Sequence, residues 1–186
     1  MNGFPGSASE IKQLALELVE HLRGNIDDTK TRGEWSDQNL RLLREFSDSH
    51  GAASFPSKGC PEFLWDFVSY IKERGIFIAA ESEWNTEPSE LAYDFEKLLY
   101  VRSPLKLMIC RIEKEEDADV IGKSFQEVME TTCAVYSPGE VFIIYCVWWA
   151  DSKGENRDIA YSLQVDGEPD YVGITGKRFQ LVSKQL

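Results

Sequence analysis

Two glutamates one residue apart, Glu81 and Glu83, close the apolar run Phe77-Ile78-Ala79-Ala80. The run reads as a β-strand, and side chains on a strand alternate between its faces. Glu81 and Glu83 therefore share one face, while Ile76, Ile78, Ala80 and Trp84 take the other. On such a strand the two Cβ atoms lie about 7 Å apart, where two carboxylates repel by about 2 kcal/mol at an effective dielectric of about 20. That face is either wet or neutralised by a cation, and paired hard oxygen ligands suit Mg2+. A solvated strand end answers the same spacing.

The preceding segment supplies a third acid. Residues Phe63 to Ile71 fit a helix, with Leu64, Phe67, Val68 and Ile71 on one stripe. They also fit the first strand of a hairpin turning at Lys72-Glu73-Arg74-Gly75, which the aromatic and β-branched content favours. A loop over residues 72–75 would pair Ile71 with Ile76, and stepping outward sets Asp66 opposite Glu81. Asp66, Glu81 and Glu83 would then converge and hold Mg2+ through oxygen atoms. A metal so placed polarises a phosphate oxygen and lowers the pKa of a bound water. A slipped register, or a helix, leaves Asp66 at a polar edge instead.

The elements around this strand pair follow from periodicity. A first helix is expected over Ser9 to Arg23, with Ser7 and Glu10 as a capping box and Gly24 as its stop. After a polar linker, Ser36 is expected to cap a second helix that ends at His50-Gly51. Gly51 to Pro61 reads as loop. Beyond the acidic strand the pattern alternates: a helix starting within 86–89, a strand Leu105 to Ile112, a helix Asp117 to Tyr136, and an apolar strand Val141 to Trp149. Ile159 to Val165 and Tyr171 to Val182 read as a terminal hairpin. The whole is an α/β domain with a mixed sheet over residues 9–186, after a disordered tail at 1–8.

Composition narrows the function classes. The chain has 186 residues, 42% of them hydrophobic, which suits one buried core. Its longest apolar run, Val141 to Ala150, is too short to span a bilayer. Cys60, Cys110, Cys133 and Cys146 form no C-x-x-C pair and only His21 and His50 accompany them, so a zinc site is not expected. Scattered cysteines point to reduced thiols and a cytoplasmic protein. With 20 basic and 32 acidic residues the net charge is −12, which weighs against non-specific nucleic-acid binding and suits a basic protein partner.

The strings Phe63-Leu64-Trp65-Asp66-Phe67, Glu81-Ser82-Glu83-Trp84-Asn85 and Asp94-Phe95-Glu96-Lys97-Leu98-Leu99 together resemble the PD-(D/E)XK, or restriction-endonuclease-like, nuclease superfamily. The likeness is to its bacterial members with an E-x-E-W core, and it spans Trp35 to Trp149 at most. In that superfamily an Asp on one strand meets an acid-x-Lys on the next. The resemblance implies a restriction-endonuclease-like sheet flanked by helices and Mg-dependent hydrolysis of DNA phosphodiesters. Asp66, Glu81 and Glu83 would be metal ligands. Glu83 stands where the family usually has Lys, so the charge that helps activate water is missing there. Lys97 on the following helix is the candidate replacement, and an i,i+3 surface ion pair with Asp94 is the plainer reading of it. Lys106 is a second candidate donor, or an edge lysine that blocks aggregation. The resemblance also implies an early helical acid, for which Glu45 is best placed by order, though it equals many exposed helix acids. The alternative on the same fold is a non-catalytic acidic protein that binds another protein, as in a defence system.

Three further signals carry less. Trp148-Trp149 places one indole in the core by alternation, with base stacking as the functional alternative. Glu113 to Asp119 is an acidic helix start that the helix dipole favours. In Tyr171 to Lys177, Gly173 and Gly176 are too close for a phosphate loop.

Overall fold

A computed structural model describes residues 8–25, 32–55, 64–112, 115–131, 141–148 and 157–164, the last two segments by their backbone pairing. The expected capping residue Ser7, residues 1–7 of the expected tail, the C-terminal strand 171–182 and Trp149 lie outside the described residues.

The elements run α1 (Ala8–Asn25), α2 (Arg32–Ser49), β1 (Ala53–Phe55), β2 (Phe67–Ile71), β3 (Gly75–Glu83), α3 (Pro88–Leu99), β4 (Leu105–Ile112), α4 (Glu115–Thr131), β5 (Val141–Trp148) and β6 (Arg157–Gln164). The six strands form one mixed sheet in the order β1-β2-β3-β4-β5-β6. The β1-β2, β2-β3 and β5-β6 pairs are antiparallel, while β3-β4 and β4-β5 are parallel. Each parallel pair is bridged by a helix, as a crossover requires.

Alternation decides what each face buries. Ile78, Ala80, Leu105, Leu107 and Ile109 join Leu18, Leu22, Trp35, Leu42 and Leu43 in one core between the sheet and α1/α2. On the opposite face α3 buries Leu91, Phe95, Leu98 and Leu99, and Phe95 stacks on Phe125 of α4 at 4.2 Å. The sheet is thus a middle layer, and β3 lies between α2 on one face and α3 on the other.

Four local expectations change. Gly24 lies inside the last turn of α1, and the Asn25 side-chain amide donates to the His21 carbonyl at 2.8 Å, satisfying a free helix-end acceptor. Ser36 lies inside α2 and is no cap, because its hydroxyl instead accepts from Trp84 Nε1 at 2.8 Å. Residues 53–55 form an edge strand within the expected loop. Lys106 occupies an interior strand and is 1% exposed, so it guards no edge. The end of α2 follows the expectation: Gly51 takes φ +73°, with Gly51 N–H donating to Asp48 O and Ala52 N–H to Ser47 O, the paired bonds of a Schellman cap.

Candidate functional site

The hairpin β2-β3 builds the site. Its loop is Lys72 to Arg74, one residue shorter than the four-residue turn that the sequence suggests. Arg74 N–H donates to Ile71 O at 2.9 Å, and Glu73 at φ 67° and Gly75 at φ 97° complete the reversal. Ile71 pairs with Gly75 and Tyr70 with Ile76, one residue off the expected register. A bulge at Phe77 restores it, so Ser69 pairs with Ile78, Val68 with Ala79 and Phe67 with Ala80. The expected alignment thus holds where it matters, and Asp66 arrives beside Glu81.

Asp66 Oδ2 accepts the backbone N–H of Ser82 at 2.7 Å, which ties the start of β2 to the acidic end of β3. Glu81 is buried to 1% exposure on the α3 face. Lys97 reaches it from the last turn of α3, with Nζ 2.9 Å from Glu81 Oε1 and 2.8 Å from Asp94 Oδ1. The approach to Glu81 is close but off-axis, so Oε1 accepts no well-aligned hydrogen bond. Both readings of Lys97 therefore hold at once: it makes the i,i+3 pair with Asp94 and also delivers a positive charge to the strand acid. The Trp65 indole N–H donates to the Lys97 carbonyl at 3.1 Å and fixes the depth at which the helix presents that ammonium. The Lys97 Nζ also lies 5.9 Å from the Tyr93 ring centroid.

Glu83 is half-buried and accepts the Asn85 backbone N–H. Burial pushes its carboxyl above the usual range, the Asn85 bond pulls it down, and a hydrogen bond with the Asp94 carboxyl raises it again. For Glu81, burial is the largest influence and pushes the carboxyl up to about 8. The Lys97 contact opposes that shift, and the negative charges of Asp66 and Asp94 add to it. Burial alone would lower the Lys97 ammonium, but its ion pairs with Asp94 and Glu81 outweigh burial and raise it. The group is thus a buried carboxyl with a fixed counter-ion, with Asp66 and Asp94 acting on it and Glu83 joined through Asp94.

The structure does not gather every expected residue. Among the described residues, no group of three or more His, Cys, Asp or Glu side chains is placed to hold a metal ion. The reason is visible in the contacts: Asp66 turns to the Ser82 amide, Glu83 to Asn85 and Asp94, and Glu81 to Lys97. Glu45 is exposed on α2 and pairs with Arg41 at 2.6 Å, away from these acids. Lys106 lies on the Glu81 face, paired in register with Ala79.

Two contributors were not legible as such in the sequence. Asp94 reads as one half of a helical ion pair, yet its carboxyl also meets Glu83. Trp65 stands in the sequence only as part of the string before Asp66, and its indole N–H, which a half-buried Trp ordinarily satisfies, was the one signal of a partner. No family model, curated protein or solved structure matches this chain.

Proposed function

We propose that the chain is a restriction-endonuclease-like domain that hydrolyses DNA phosphodiesters with Mg2+ at the end of the β2-β3 hairpin. The observation that carries this reading is the Lys97 ammonium 2.9 Å from Glu81, beside Asp66. An acid-x-Lys strand needs a lysine charge next to its buried acid. Here Glu83 occupies the strand position, and α3 brings the charge from Lys97 instead.

The donors are of the right kind for a hard divalent cation, being carboxylate oxygens throughout. Asp66, Glu81 and Glu83 would hold Mg2+, which when bound supplies a polarised phosphate oxygen and a water of lowered pKa. Lys97 stabilises negative charge beside that ligand set, and Asp94 with the Trp65 indole holds the ammonium in place. Because Lys97 and a metal compete for the same carboxylate, the pairing of Lys97 with Glu81 sets a condition on metal entry.

A second reading takes its support from that same pairing. Glu81 already has a counter-ion, and the acids stand apart, as in a protein whose charges hold the fold together and whose acidic surface binds a basic protein.

Calorimetry with Mg2+ and Mn2+ on wild type and Glu81→Ala separates the two. The nuclease reading expects metal binding that weakens at least tenfold in the variant, together with metal-dependent cleavage of DNA by wild type. Absence of binding by both metals, or equal binding by both proteins, leaves the interaction reading.

A further inference from the structure

The polar atoms that the acidic site does not use lie on the other face of β3. There α2 runs antiparallel to the strand. Its start packs Trp35 edge-on to Trp84 at 5.9 Å, and its end sets His50 against Phe77 at 5.7 Å. A helix rises about 1.5 Å per residue and a strand about 3.3 Å. Asn39, one turn beyond Trp35, therefore lies level with Ser82, two residues before Trp84. By alternation Ser82 shares the Trp84 face. Ser82 pairs in register with Ile109 of β4, and Arg111 follows on the same face two residues later.

Among the described residues, each of these three has a buried side-chain polar atom that makes no hydrogen bond. Asn39 is 0% exposed, and neither its Nδ2 nor its Oδ1 has a hydrogen bond. The Ser82 hydroxyl and the Arg111 Nε are buried and unsatisfied in the same way. Among the described residues Arg111 takes part in none of the ion pairs. Buried donors are ordinarily satisfied, and a guanidinium stays charged at every relevant pH. Arg111 is half-buried, and among the described residues no carboxylate pairs with it.

We propose that Asn39, Ser82 and Arg111 form a phosphate-binding site between α2 and the ends of β3 and β4, on the face opposite Glu81. The planar guanidinium matches phosphate oxygens, while the hydroxyl and amide supply neutral donors. A carboxylic acid is the wrong occupant for the Asp66-Glu81-Glu83 side, and a phosphate is the wrong occupant there without a metal; the strand separates the two chemistries. Ser82 joins them, since its backbone N–H holds Asp66 while its hydroxyl belongs to the opposite face. The phosphate comes either from a nucleic-acid backbone or from free phosphate. The site shares no side chain with the proposed hydrolytic residues, so it stands if that activity is absent.

The test uses the full chain in EDTA, which removes any metal-mediated binding at the acids. Inorganic phosphate and a single-stranded dinucleotide are titrated into 15N-labelled protein and followed by NMR. The expected result is saturable movement of the Asn39 side-chain amide and the Ser82 backbone signals, with affinity reduced at least tenfold in Arg111→Gln and less in Ser82→Ala. Saturation by inorganic phosphate assigns a free-phosphate source, and saturation by the dinucleotide alone assigns a phosphodiester. The proposal is overturned if neither probe moves these signals in wild type, or if both variants bind as wild type does.

Discussion

At the scale of single residues, the decisive object is the Glu81 carboxyl. It is buried, held by Lys97 and surrounded by like charge, and burial wins to the extent of raising its pKa to about 8. The consequence for stability has a definite sign. Below about pH 4.5 the group is protonated in both folded and unfolded chains. Between about pH 4.5 and 8 the unfolded chain has lost that proton while the folded chain retains it, so folding stability falls as pH rises. Urea unfolding of chelator-treated protein at pH values across this window should show a decline that Glu81→Gln largely removes, on the order of 1 kcal/mol or more of difference between its ends. Equal pH profiles for wild type and variant would mean that Lys97 keeps Glu81 ionised throughout. The sequence identified Glu81, Asp66 and Lys97 as chemistry-bearing residues because type and strand alternation are local properties. It was silent on the Glu83–Asp94 contact, because two acids meeting across an element boundary run against pairwise electrostatics and form only when other contacts hold their backbones.

At the scale of elements, the β2-β3 hairpin transmits sequence into site geometry. The turn is a residue shorter than expected, and the bulge at Phe77 returns the register, so two local departures cancel before Asp66. Gly75 carries φ 97°, with no atom within 4 Å of where a Cβ would stand. Its requirement is therefore conformational and not steric. Gly75→Ala should cost about 1 kcal/mol in chemical unfolding, since an L side chain is strained in that backbone region. A neutral substitution would show that the turn relaxes, and with it the register that carries Asp66 to Glu81. Helix and strand identities were legible from periodicity, including the strand over Phe67–Ile71 that competed with a helical stripe. The short strand Ala53–Phe55 was not, because three residues carry too little alternation and its pairing with β2 is a tertiary fact.

At the scale of the whole molecule, one sheet divides the chain into two chemically different faces. The α3 face carries the acids and Lys97, and the α2 face carries Asn39, Ser82 and Arg111 among apolar packing. No described helix is long and apolar enough to cross a membrane. Among the described residues near the C-terminal ends of β3 and β4, Lys97 is already paired and Arg111 is the remaining cation, so a contact with nucleic acid there rests on few cations. If DNA binds, the logarithm of its affinity should fall with the logarithm of salt with a slope of about −1 to −2, each phosphate contact adding roughly −0.9. Fluorescence titration across a salt series measures it, and a slope of −5 or steeper would require basic side chains beyond those described near these strand ends. By itself the sequence determined the α/β class, the strand bearing Glu81 and Glu83, and the helix bearing Lys97, because alternation and helical periodicity act over a few residues. Only the tertiary structure decided that Lys97 meets Glu81, that Trp65 sets its depth, and that Arg111 shares a face with Ser82 and not with Glu81. Those outcomes depend on how far each helix slides along the sheet, a quantity set by packing between elements distant in sequence.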